Sequence, residues 1–243
     1  MEQIARHVIP SIARSMVVLA TGNGIPEQAL DTWSHSLRIW QEAARIAAAA
    51  RERQSVDGGL LINEPLLEAL CFAHDTGRMF TGSKASHQLV PQQLIGAHGV
   101  LGAHYYRTLP EPFAPVAIME ALARICERHL LGVGVLAETY ERWRRAVDQE
   151  ELPDNLREQI RSVLGMPRYR DDTLPETAEE RIMAYVDLCA LGQQTGSVWC
   201  PVIVPYHGTP RARLLETGGA AMARRGDAAH AFVLELTGRR EWP

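Results

Sequence analysis

The sequence predicts an all-α fold. Apolar residues recur at helical spacing along nearly the whole chain. Caps and breakers fall between these stretches, where helices should start and stop. No alternation of β-branched residues is sustained. With 46% hydrophobic and 22% charged residues, the 243-residue chain has the composition of a globular domain with a full core.

The elements follow in order. A first helix is expected from about Glu2 to Leu19, with Pro10 bending or splitting it, and Thr21-Gly22-Asn23-Gly24 breaks it. Pro26 suits the first turn of a long second helix reaching about Arg53. Asp57-Gly58-Gly59 is a loop. Asn63 caps a third helix, with Pro65 early in it and Gly77 ending it. After a polar loop over 81–86, a fourth helix spans about Pro91 to Arg107 and a fifth Phe113 to Leu131. Helical patterns also cover about 133–148, 154–164, 176–191 and 216–236. The stretch from Gly192 to Pro210 reads as irregular, with Val202-Ile203-Val204 as a candidate short strand.

Charge and cysteines limit the function classes. The formal net charge of −4 argues against a partner that is a nucleic-acid polymer, which calls for a basic footprint. Lys84 is the one lysine among 25 basic residues. Cys71, Cys126, Cys189 and Cys200 form no CxxC pair, so neither a disulfide framework nor a zinc-thiolate site is expected, and a reducing cytosol fits. No apolar run approaches the roughly 20 residues of a membrane span, and no apolar leader pattern begins the chain. The reading is a cytoplasmic protein without a membrane partner. Trp33, Trp40 and Trp143 suit core and interface packing alike, which leaves homo-oligomerisation open.

The functional signal lies in polar residues on stripes that should be buried. In the third helix Leu66, Leu67, Leu70 and Cys71 form the stripe and His74 continues it, with Asp75 next. In the fifth, Ile118, Leu122, Ile125 and Cys126 lead to His129. In the fourth, Leu94 and Ile95 lead to His98, then Leu101. Near residue 180, the face of Met183, Val186, Ala190 and Leu191 includes Asp187. In the second helix, Leu30, Trp33, Leu37, Trp40 and Ala44 make one apolar face and Ile39 and Ile46 another. Between them run Arg38, Gln41, Glu42 and Arg45, with His35 at the border. A carboxylate among core residues is costly unless it is paired or holds a metal. Imidazole plus carboxylate is the ligand set of Zn, Fe, Mn or Ni, and carboxylate-rich variants accept Mg. Any one of these residues alone is more readily a hydrogen-bonded core residue, and Asp187 alone could pair with Arg181; five helices supplying them together point to a metal.

In chain order the residues read His35, His74-Asp75, Asp187. This resembles the HD superfamily of metal-dependent phosphohydrolases, whose signature is H…HD…D on an all-helical core. The strings "WSHSLRIW", "LCFAHDTGR" and "EERIMAYVDLCALG" carry the resemblance, over roughly residues 30–192. It implies a helical metal-binding domain over 26–192, an N-terminal helical extension over 1–25, and a C-terminal loop and helix over 193–243 packed on the core. "HGVLGAHYYR", beginning at His98, and the position of His129 are similar to the extra histidines of the dinuclear branches. The implied ligand set is His35, His74, Asp75, His98, His129 and Asp187, for one or two divalent ions (Mn, Fe, Ni, Co, Zn or Mg), with Asp75 as bridge. His104 is the rival to His98.

Where the family often has the lysine of HDxGK, this chain has Arg78, which can bind phosphate bidentately but cannot donate a proton. No GYP motif is present, so the cyclic-di-GMP-degrading branch is not indicated. The resemblance implies a hydrolase acting on a phosphate ester such as a nucleotide or another small phosphorylated metabolite. Asp75 and Arg78 are the catalytic candidates, and Arg38, Arg78 and Lys84 would hold the substrate phosphate. Tyr206, His207, Arg211 and Arg213 lie in a loop that could cover the site. The same six ligands also resemble HD-fold mixed-valent di-iron oxygenases that cleave a small polyol or a phosphonate. A regulatory module with a degenerate site is the third alternative.

Overall fold

The computed structural model describes residues 2–57, 60–82, 89–90, 92–129, 137–149, 152, 154–165, 174–195, 198–206 and 209–242. Within them the fold is all-α with one β-hairpin.

Helix α1 (Glu2–Gly22) is continuous. Pro10 neither splits nor ends it, because Pro10 is exposed and water can serve the carbonyl that loses its amide partner. Val8, Ile12, Met16 and Ala20 form its buried stripe. The turn that follows closes through the Ile25 N–H on the Ala20 carbonyl (2.8 Å), with Gly24 at φ 74°, a conformation that favours glycine.

Helix α2 (Pro26–Asp57) turns a different face inward from the one richest in large apolar residues. Leu30 is 70% and Leu37 42% exposed, whereas His35, Ile39, Glu42, Ala43 and Ile46 are buried. His35, Ile39, Glu42 and Ile46 follow one another at steps of four, three and four, a single helical stripe, so His35 lies on the core face rather than at its border. Glu42 is tolerated there because it accepts the Trp242 indole N–H (2.6 Å) and pairs with Arg45 (2.7 Å).

Helix α3 (Glu64–Ala73) starts at the expected cap, with the Asn63 side chain accepting the Leu66 N–H at 3.2 Å. It stops earlier than Gly77: His74 is its last capping residue, a turn follows, and the single-turn helix α4 (Arg78–Thr81) resumes. The expected fourth helix is two pieces, a 3₁₀ helix (Gln92–Ala97) and α5 (His98–Thr108), so His98 sits at a junction. Helix α6 (Val116–Arg128) ends with His129 as its cap. Helices α7 (Ala137–Gln149) and α8 (Asp154–Gly165) follow, then α9 (Ala178–Cys189), which Thr177 caps.

Strands β1 (Ala190–Thr195) and β2 (Val198–Ile203) form an antiparallel hairpin, with Ala190 opposite Ile203 and Thr195 opposite Val198. The sequence shows only part of β2 because β1 lacks β-branched and aromatic residues except Thr195, and Pro201 interrupts β2. A hairpin has only edge strands, so proline is admitted. Helix α10 (Thr209–Thr237) begins earlier than its apolar pattern and packs on α9 and α2.

Two apolar clusters form. The main one gathers α1, α2, α3, α6 and α9. The smaller one joins the 3₁₀ helix and α5 to α7 and α8 around Leu94, Trp143, Val147 and Ile160. Trp143 is therefore a core residue, while Trp33 and Trp40 are half-buried against the main cluster. No helix among the described residues is long and apolar enough to cross a membrane.

Candidate metal centre

Five segments meet at one buried point. Helix α2 brings His35, the end of α3 brings His74 and Asp75, the start of α5 brings His98, the end of α6 brings His129, and the last turn of α9 brings Asp187. His74 and His129 are 0% exposed, Asp75 1% and His98 2%.

The backbone prepares the histidines. A helix leaves its last four carbonyls without amide partners. His74 Nδ1 lies 2.8 Å from the Cys71 carbonyl, and His129 Nδ1 2.7 Å from that of Cys126. His98 repeats this spacing at the end of the 3₁₀ helix, with Nδ1 2.7 Å from the Ile95 carbonyl. A carbonyl only accepts, so each Nδ1 carries the proton and each neutral ring turns a bare Nε2 inward. Ligating histidines are oriented in this way. Burial pushes all three imidazoles down toward the neutral form that metals require, although Asp75, joined at His74 and His129 by Asp187, opposes it.

The Nε2 atoms and carboxylates form two groups, His35–His74–Asp187 and Asp75–His98–His129. In each group the ligating atoms lie within 4.8 Å of one another. Asp75 joins the groups. Its Oδ2 is 3.7 Å from His35 Nε2 and 3.5 Å from His74 Nε2, and its Oδ1 is 3.1 Å from His98 Nε2 and 3.6 Å from His129 Nε2. Asp187 Oδ1 lies 3.1 Å from His35 Nε2 and 3.7 Å from His74 Nε2.

This arrangement fits metal ions. His74 Nε2 and Asp75 Oδ1 are buried without a hydrogen-bond partner, a costly state for polar atoms unless a cation takes them up. His98 Nε2 and His129 Nε2 are only 3.0 Å apart. With both Nδ1 atoms protonated, two lone pairs face each other and repel. Two nitrogens held about 2.1 Å from one ion at a right angle would stand about 3.0 Å apart, which turns the repulsion into shared ligation.

The carboxylates are ready as anions. Burial alone would push Asp75 up, but the Arg78 guanidinium and the His74 and His98 rings outweigh it and hold Asp75 well below the usual carboxylate range. Asp187 is likewise held low against burial, first by its hydrogen bond to His35 and then by the neighbouring imidazoles. Arg78 Nε donates to Asp75 Oδ2 at 2.6 Å. Its side chain is 25% exposed against 2% for Asp75, so the guanidinium runs from the buried carboxylate toward solvent.

Close backbone approach makes the meeting possible. A Cβ on Gly77 would lie 1.7 Å from the His98 carbonyl oxygen, and one on Gly99 2.7 Å from that of Cys126. A Cβ on Gly102 would lie 3.0 Å from the Gly77 amide nitrogen. These glycines let α5 touch both the His-Asp turn and α6. Thr76 and Tyr106 add a buried 2.7 Å hydroxyl pair across the same contact. The sequence reading takes Gly77 only as a helix end and assigns nothing to Gly99 or Gly102. The spacing of Gly77 two residues after Asp75, and of Gly99 one after His98, was the available sign.

The remaining candidates fall elsewhere. Arg38 is exposed on α2 and donates to Gln41 (3.1 Å). Lys84 and His207 lie outside the described residues. His104 is half-buried on α5 and belongs to neither group. Arg181 is exposed and donates to the Pro175 carbonyl (3.3 Å) rather than to Asp187. Tyr206 is buried, stacked on His230 and bonded to Asp227 (2.8 Å), and Arg211 and Arg213 lie within α10 rather than in a loop.

A family model for the HD domain matches residues 32–191. The chain belongs to the HD-domain family. Neither the curated proteins nor the solved structures provide a match. The matched span runs from just before His35 to just after Asp187, so this HD domain contains all six clustered residues. HD domains form a superfamily of the metal-dependent phosphohydrolase type and bind divalent metals, and here the clustered imidazoles and carboxylates are the groups able to do so.

Proposed function

We propose that this HD domain is a metal-dependent phosphohydrolase acting on a phosphate ester, such as a nucleotide or another small phosphorylated metabolite. Arg78 carries the reading. Its Nε is anchored on Asp75, and its two terminal nitrogens have no partner among the described residues. A guanidinium fixed by one edge beside a ligand carboxylate presents its fork to an arriving phosphate.

His35, His74 and Asp187 would hold one divalent ion, His98 and His129 a second, and Asp75 both. Divalent ions there would supply Lewis acidity toward the phosphoryl group and activate water near neutral pH. The chain's own residues do the rest. The backbone carbonyls of Cys71, Ile95 and Cys126 hold the three rings in one tautomer. Arg78 neutralises phosphoryl charge and orients the ester, and it keeps its own proton throughout. Arg38, three residues after His35, and Lys84, after the His-Asp turn, are the groups we assign to the outer part of the substrate. Cys71, Cys126 and Cys189 are buried and form no disulfide, which suits a reducing, cytoplasmic setting.

The test is metal analysis together with turnover. Protein loaded with Mn, Ni or Co should release p-nitrophenol from bis-p-nitrophenyl phosphate, and metal-free protein should not. Two irons per chain with O₂ consumption on a small polyol or phosphonate, and no ester hydrolysis under any metal, would overturn the proposal in favour of an oxygenase.

A further inference from the structure

The α9–α10 face carries a second feature that the metal site does not use. A surface cavity of about 520 Å³ opens between these helices, a size that suits a small organic ligand. On α10, Arg224 and Arg225, then Ala228 and Ala229, then Phe232 recur at helical spacing and line one side of it. The two alanines leave the space. Arg181 of α9 closes the other side, its guanidinium 5.1 Å from the centre of the Phe232 ring and its Nε bonded to the Pro175 carbonyl at 3.3 Å. A guanidinium held by stacking and one hydrogen bond is set in place before a ligand arrives.

Among the described residues that line the cavity, the charged ones are all arginines. Arg181 and Arg224 have no carboxylate partner among the described residues, in a chain of formal net charge −4. By contrast, Arg107, Arg124 and Arg128 are each paired with glutamates. An apolar floor under a cationic rim is complementary to a molecule with an apolar body and an anionic head. We propose that this cavity binds such an amphiphilic organic anion, an acyl or aryl chain ending in a single acidic group. The site is separate from the metal centre. The six residues from Arg181 to Asp187 turn α9 by about 240° beyond a full turn, so the two side chains leave the helix on different faces.

Octanesulfonate is the probe, because a sulfonate is not hydrolysed and is a poor metal ligand. Calorimetric titration should show saturable one-site binding. Methanesulfonate, which has the head alone, and octanol, which has the tail alone, should each bind at least about tenfold more weakly. The double variant Arg181→Gln/Arg224→Gln should lose about tenfold or more in affinity while keeping wild-type metal content and helical circular dichroism. Phe232→Ala should weaken the tail contribution. Absence of saturable binding, equal affinity for octanol, or unchanged affinity in the double variant would each refute the site.

Discussion

The two halves of the metal centre differ in what they show to solvent. In the Asp75–His98–His129 group every side chain is at most 3% exposed. In the other, His74 is fully buried, but the His35 side chain is 8% and the Asp187 side chain 15% exposed. On the proposed hydrolase reading, the closed half, shut off from solvent, would only hold its ion. On the same proposal, the open half would be the side from which an ester and water arrive. Asp75 belongs to both, one oxygen to each, and Arg78 grips the oxygen that faces the open half. Depth of burial is thus what distinguishes two nearly identical sets of imidazole and carboxylate groups.

The largest expected effect is at the shared residue. Asp75→Ala should remove both ions and lower ester hydrolysis by at least ~10³-fold, as read by elemental analysis and initial rates. An intact metal complement in that variant would separate the two halves and end the comparison. Next come the halves taken singly. His129→Ala should lose one ion and keep the other, and Asp187→Ala the reverse, each with at least ~100-fold less turnover. If either variant sheds both ions, the halves bind metal as one cooperative unit.

Gly77→Ala tests the packing that lets the closed half form. The added methyl has to displace the His98 carbonyl, at a cost of about 1–3 kcal/mol. The melting temperature should fall by roughly 3–10 °C, with metal lost first from the closed half. Arg78→Lys should be the mildest. It keeps the charge and loses the fork, so kcat/KM should fall about tenfold with metal content unchanged. A drop in metal content there instead would make Arg78 a support for Asp75 rather than a substrate group.

Much of this was legible in one dimension. Helical periodicity put His74, His98 and His129 on apolar stripes, and the structure buries all three. The cap at Asn63 was readable because its side chain satisfies an amide three residues on, a purely local bond. Helix α2 was harder. Its large apolar residues mark one face, yet the buried face carries His35, Ile39, Glu42 and Ile46. Glu42 is paid for by Trp242, 200 residues away, which no local pattern announces. The hairpin was half-seen for the same kind of reason, since pairing between strands rather than composition makes β1 a strand.

By itself, then, the sequence determined the helical class, the order of the histidines and aspartates, and their places on stripes. These are properties of spacing along one helix, set by 3.6 residues per turn. Only the tertiary structure decided that Asp75 faces both groups, that His98 and His129 stand 3.0 Å apart, and that Arg78 turns back onto Asp75 while Arg38 stays outside. Those relations depend on how closely separate helices approach. That distance is set where Gly77, Gly99 and Gly102 leave out a side chain and the backbones meet.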